Sequence, residues 1–199
     1  MKNARAGRRL DRPGRAVWIG ATALFYVLVL IPFNYPGIDI FGVPLRPAAF
    51  MLVTLGILFG PAAAWGLGIG NIAGDYFGGS WSAMSIFGFL VNVLIPYLSY
   101  RLFFHLMKGR TIRRDYHTIM CFLATSLIVV CSCMVLLAAC GTVFFDRPFF
   151  SKLTSYLGNN LFWAMVVGPA FFWLVVDAAL RNNLVYGREW AERNGESRS

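Results

Sequence analysis

Six stretches of this chain run almost without charge: residues 17–33, 48–60, 62–74, 85–104, 119–145 and 157–180. Apolar runs of this length, lacking the polar face that a soluble core helix or strand would show, predict membrane-crossing helices. The second and third runs are separated only by Phe59-Gly60-Pro61. One helix from 48 to 74 would be roughly 40 Å long at 1.5 Å per residue, longer than the roughly 30 Å of bilayer hydrocarbon. Two arms turning at Gly60-Pro61 would each be about 25 Å, short but workable where the bilayer thins or the ends are polar. Proline cannot continue the helix ladder and glycine frees a turn, so the pattern alone allows a kinked span or a hairpin.

Charge separates the two. Lys and Arg fall in three clusters: Lys2, Arg5, Arg8, Arg9, Arg12 and Arg15; then Arg101, Lys108, Arg110, Arg113 and Arg114; then Arg181, Arg188, Arg193 and Arg198. Only Arg46, Arg147 and Lys152 lie elsewhere. A hairpin makes six spans and puts all three clusters on one side, whereas a single kinked span puts the middle cluster and the tail on opposite faces, against the positive-inside bias. The expected fold is therefore an all-α integral membrane protein. It is a bundle of six transmembrane helices with both termini cytoplasmic and a short helical hairpin at spans two and three. Residues 1–16 form a basic cytoplasmic N-terminus, 17–180 the membrane domain and 181–199 a polar cytoplasmic tail. The first run is expected to stay as a span, because Asn34-Tyr35-Pro36 follows it in place of a small-x-small cleavage site. The net charge of +9 then acts as an orientation signal and a fit to anionic lipid. Nucleic acid is a poor partner for basic groups scattered over three loops.

On the other side this arrangement leaves residues 34–47, 75–82 and 146–156, which are rich in aromatics and carry Asp39, Asp75 and Asp146. An interfacial aromatic belt explains any one of these aromatics equally well. Polar groups inside spans are more informative, since lipid penalises them. Asn71 and Asp75, four apart, share a helix face, and Gly66, Gly70 and Gly74 form a smooth strip where another backbone can approach. Asn92 lies mid-span, and Asn159-Asn160 open the last run. Hydrogen bonds that merely hold helices together are the competing reading, as strong as ligand contact for Asn92.

Other chemistry is thinly supported. Cys121, Cys131, Cys133 and Cys140 are strung along one span and read as packing residues. His105 and His117 have no ligand cluster in sequence, so no metal is expected. The chain carries no G-x-x-x-x-G-K-[ST] loop, G-x-S-x-G elbow or H-E-x-x-H pair, so neither nucleotide hydrolysis nor enzymatic activity is expected. Asp177 stands four before Arg181 and is expected to be its helix partner.

Leu45-Arg46-Pro47, Leu58-Phe59-Gly60-Pro61, the run from Gly66 to Asp75 (G-L-G-I-G-N-I-A-G-D) and Ser85-Ile86-Phe87-Gly88-Phe89, set in six short spans behind a basic N-terminus, resemble the substrate-binding S components of energy-coupling-factor (ECF) vitamin transporters. The architecture covers the whole chain and the motifs about residues 46–92. The resemblance implies high-affinity binding of a small vitamin-like or heterocyclic metabolite. It also implies uptake energised by two cytoplasmic ATPases and a transmembrane coupling subunit, in a prokaryotic plasma membrane. The docking patch of the family is here Ala16-x-x-x-Gly20 with Ile19-x-x-x-Ala23 beside it, which makes Ala16, Gly20 and Ala23 the docking candidates. The chain lacks the Met-His start of nickel and cobalt S components, which argues against metal cargo, and no cofactor is implied.

The candidate ligand residues are Arg46, Asn71, Asp75, Trp81, Asn92, Tyr156, Asn159, Asn160 and Trp163, under a lid carrying Tyr35 and Asp39. Arg46 and Asp75 flank one hairpin and are as well explained by pairing with each other. The alternative from another class is a non-transporting scaffold, similar to the rod-shape-determining membrane proteins. A small membrane transferase would need an acidic motif that the sequence does not contain.

Overall fold

The computed structural model describes residues 14–34, 39–40, 43–44, 46–182 and 184–186. In chain order the elements are α1 (Arg15–Asn34), a two-residue antiparallel ladder of β1 (Asp39–Ile40) and β2 (Val43–Pro44), then α2 (Ala49–Phe59), α3 (Pro61–Phe77), α4 (Met84–Met107) and α5 (Tyr116–Phe145). The last helix is α6 (Phe149–Phe162), continued through a π-helical turn (Trp163–Val167) into α7 (Gly168–Arg181). Four segments are long and apolar enough to cross a bilayer: Arg15–Phe33, Met84–Met107, Tyr116–Phe145 and Phe149–Arg181. The shorter α2 is hydrophobic all round and nearly all of it is buried, the signature of a helix held at the centre of a bundle. It packs against α4, α7 and the π turn, and Gly56 lies hard against the Pro96 backbone.

The break at residue 60 is a reversal. The Gly60 N–H donates to Gly56 O at 2.9 Å, and φ of +60° at Gly60 turns the chain, a conformation that costs glycine little. Pro61 then starts α3 at the position where its missing N–H is harmless. The two arms return far enough for Arg46, ahead of α2, to meet Asp75, late in α3, at 3.4 Å. One continuous kinked helix could not bring them together. At the other end of the hairpin, the Tyr186 ring covers Gly60 and the Tyr186 N–H donates to Leu58 O at 2.8 Å. Trp18 stacks on Phe59 with ring centroids 4.2 Å apart.

The glycine strip of α3 receives α1. A β carbon at Gly70 would lie 2.8 Å from the Ala23 carbonyl oxygen, so only a glycine lets the backbones come this close. Gly66 meets Ile19 and Thr22 in the same way, and Gly74 meets Leu30.

Two sequence expectations are corrected. Residues 149–156, read as part of an outer loop, are helical, so Asn159 and Asn160 lie well inside the last helix. The stretch looked like a loop because it is polar. The polar positions of α6, Ser151, Lys152, Ser155 and Asn159, recur at three- and four-residue spacing and line a cavity, as an amphipathic helix requires. Asp177 does not pair with Arg181: its carboxylate meets Arg114 Nε at 3.0 Å. Arg114 also donates to Trp173 O at 2.6 Å, tying the loop before α5 to α7. Asp115 in that loop caps α5 by accepting from the Thr118 N–H at 2.8 Å, and this hydrogen bond holds its carboxyl below the usual carboxylate range.

A candidate substrate-binding cavity

At the end of the bundle where Arg46 and Asp75 meet, a cavity of about 450 Å³ opens between α3, α4, α5 and α6, with Tyr26 of α1 reaching its wall. Its walls owe their polarity to helix ends and to the inner face of α6. Asp75 is supplied by the last turns of α3, Ser80 and Ser82 by the link to α4, Gly88 and Asn92 by α4, and Arg147 by the turn after α5.

Arg46 and Asp75 both line this space and also pair, their side chains 36% and 4% exposed respectively. A carboxylate as enclosed as Asp75 needs such compensation, because an unpaired buried charge is strongly destabilising. Ser80 Oγ adds a hydrogen bond to the same carboxylate at 3.4 Å. Pairing and cavity lining are therefore compatible roles for these two residues.

Deeper in the cavity, the Tyr26 hydroxyl donates to Asn92 Oδ1 at 3.2 Å and Asn92 Nδ2 donates to Gly88 O at 2.8 Å. Beside Gly88, but behind the wall, Asn71 is completely buried, and neither its Oδ1 nor its Nδ2 has a hydrogen-bond partner among the described residues. A β carbon at Gly88 would stand 3.2 Å from Asn71 Nδ2, so this glycine is what separates the amide from the cavity. Buried amides are ordinarily satisfied; Asn71 is the exception to explain.

On the α6 side, Asn159 Oδ1 accepts from the Arg46 backbone N–H at 3.2 Å and from Trp163 Nε1 at 3.1 Å. It thereby ties the start of the α2–α3 hairpin to the π turn. Asn160 Nδ2 donates back to Tyr156 O at 2.9 Å. Both asparagines and Tyr156 line the cavity.

Of the residues singled out in the sequence, Arg46, Asp75, Asn92, Tyr156, Asn159 and Asn160 converge on this one space. Asn71 lies just behind it, Trp163 stands behind Asn159, and Trp81 is half exposed on the link, outside the lining. Tyr35 and the side chain of Asp39 lie outside the described residues. On α1, Ala16 and Gly20 are exposed, with open space around Gly20, while Ala23 faces Gly70 of α3. Sequence reasoning missed Tyr26, Ser85, Arg147, Ser151, Lys152 and Ser155 as lining residues. The three- and four-residue spacing of 151, 152, 155, 156 and 159 was the available signal for the α6 face.

The model of the QueT transporter family matches residues 17–177. The chain belongs to the QueT transporter family. QueT proteins are S components of ECF transporters, multi-pass membrane proteins that serve uptake of a small substrate together with an energising module. No curated protein and no solved structure matches the chain.

Proposed function

We propose that this chain is the S component that captures a queuosine precursor outside a prokaryotic plasma membrane and hands it to a coupling subunit driven by two cytoplasmic ATPases. The observation that carries the reading is the cavity of about 450 Å³ lined by Arg46, Asp75, Asn92, Tyr156, Asn159 and Asn160. It falls within the roughly 300–1,000 Å³ usual for small-molecule sites, in a chain of the QueT transporter family. A queuosine precursor is a planar 7-deazaguanine base. Its guanine-like edge offers N–H donors that suit the Asp75 carboxylate and a carbonyl that suits Arg46 or an asparagine amide, and its ring suits the face of Tyr156. Asn71, fully buried and with no partner for either amide atom among the described residues, backs the Gly88 wall of this cavity. Trp163 acts by orienting Asn159. Trp81 belongs to the rim, and the chain around Tyr35 and Asp39 to the lid.

In this reading the bundle has six spans, with the three basic clusters and both termini in the cytoplasm and the cavity facing out. The basic residues of segments 1–16 and 181–199 then suit the anionic lipid of the inner leaflet. The open patch around Ala16 and Gly20 takes the coupling subunit, since small residues let a partner helix approach closely.

Native mass spectrometry of the protein purified without added ligand tests the cargo. Release of a 7-deazaguanine supports the reading. A different released metabolite would replace the cargo, and a protein that neither carries nor binds any small molecule would favour the scaffold alternative.

A further inference from the structure

Away from the cavity, the far end of α4 carries a group of phenols around one guanidinium. Tyr97 and Tyr100 meet edge to face with ring centroids 5.6 Å apart, and Tyr100 meets Tyr186 in the same way at 5.8 Å. The Arg101 guanidinium stands beside the Tyr97 and Tyr100 hydroxyls. Among the described residues the ion pairs join Arg46 with Asp75 and Arg114 with Asp177, so no carboxylate there answers Arg101. Tyr186 also covers Gly60, so the α2–α3 hairpin turns back level with Tyr100 and leaves this face of α4 open. Tyr97, Arg101, His105 and Lys108, on successive turns, are all exposed. Ile86 and Leu90, exposed on the same side nearer the start of α4, continue the face as an apolar strip. The 24 residues of α4 span about 36 Å, more than the roughly 30 Å of bilayer hydrocarbon. Arg101 lies six positions before Met107, the last residue of α4, which sets it near the edge of the hydrocarbon layer.

We propose that this face of α4 binds one anionic phospholipid, its phosphate held by Arg101 with the Tyr97 and Tyr100 hydroxyls and an acyl chain lying along Leu90 and Ile86. The guanidinium donates charge-assisted hydrogen bonds to the phosphate oxygens. Each phenol oxygen can accept from that guanidinium while its own O–H donates to the phosphate. Tyr186 backs Tyr100 and holds this wall in place. The apolar strip favours a lipid over free phosphate, because only a lipid covers both parts of the face. Diffuse attraction of anionic lipid is worth about 1 kcal/mol for any Lys or Arg near the surface, whatever stands beside it; here the tyrosine hydroxyls add a fixed geometry. The site is separate from the cargo cavity, and the six-span reading above fixes only its leaflet, the cytoplasmic one.

Native mass spectrometry of the full chain, released from nanodiscs holding equal amounts of phosphatidylglycerol and phosphatidylcholine with the same acyl chains, counts the lipid retained. The unmodified chain should keep phosphatidylglycerol at least tenfold more often, about 1.4 kcal/mol. R101Q should bring that ratio within about threefold, and Y97F/Y100F should lower it with no change of charge. R113Q, which removes an exposed charge from the loop between α4 and α5, should leave the ratio as it was. Equal retention of the two lipids by the unmodified chain overturns the proposal, and that comparison needs no variant to fold. An equal fall in R101Q and R113Q also overturns it, because charge alone would then hold the lipid. A ratio unchanged in Y97F/Y100F takes the tyrosines out of the site. None of these results bears on the cargo reading, which the released metabolite tests separately.

Discussion

The guanidinium of Arg46 meets the carboxylate of Asp75 at 3.4 Å, and this contact closes the open end of the α2–α3 hairpin beside the cavity that both residues line. The pair has a structural duty and faces the site at once. Replacing Asp75 by alanine leaves the Arg46 charge without that partner, whereas the double change R46A/D75A removes both charges. We expect D75A to lower the melting temperature more than R46A/D75A does, with ligand binding lost in both. Thermal unfolding in detergent, read beside a binding isotherm, checks this. Equal melting temperatures for the two variants would mean that the pair does not couple.

Asn159 and Asn160 are adjacent but differently engaged. Asn159 Oδ1 takes hydrogen bonds from Arg46 N–H and Trp163 Nε1, while Asn160 bonds one turn back along its own helix. The N159A/N160A double variant should bind ligand at least tenfold more weakly, about 1.4 kcal/mol. N159A alone should account for most of that loss. Unchanged affinity in the folded double variant would move the site elsewhere.

Gly70 and Gly158 make opposite demands on a methyl group. At Gly70 an added β carbon meets the Ala23 carbonyl oxygen at 2.8 Å, and at Gly158 it meets nothing within 4 Å. G70A should destabilise the chain by about 1–3 kcal/mol, the usual cost of overpacking. G158A, in a helix interior, should be neutral or stabilising by up to about 1 kcal/mol. Chemical denaturation of the two variants side by side measures both.

Gly20 is exposed and has open space around it. G20L should abolish co-purification with a coupling subunit and leave ligand binding intact. Loss of binding and assembly together would indicate a folding defect, and retained assembly would remove this face as the dock.

Orientation is open to direct chemistry. Cysteines placed at positions 80 and 110 of a cysteine-free chain should label from outside and inside respectively. Outside labelling at 110 with protection at 80 would overturn the six-span arrangement.

Much of the architecture was legible along the chain because a bilayer imposes a one-dimensional rule: charge is costly in hydrocarbon and apolar length must match thickness. Uninterrupted runs therefore marked the helices, and Gly60-Pro61 marked a break whose type the distribution of Lys and Arg resolved as a hairpin. Polar residues within the runs, Asn71, Asp75 and Asn92, stood out for the same reason. The family was recognisable from the motifs between Arg46 and Asn92, and the match over residues 17–177 agrees with it.

What meets what depends on helix rotation and on contacts between distant segments, and no local rule carries that. Only the tertiary structure turned the polar stretch 149–156 into an amphipathic helix lining a cavity. It gave Asp177 to Arg114, far away in sequence, in place of the neighbouring Arg181. It set Ala23 against Gly70 while leaving Gly20 open on the same helix. By the same means Arg147 and Lys152, which the charge pattern marked only as exceptions, came to face one space with Arg46. Along the chain a lysine among aromatics reads as an interfacial anchor. It becomes part of a site only when the packing of other helices encloses it.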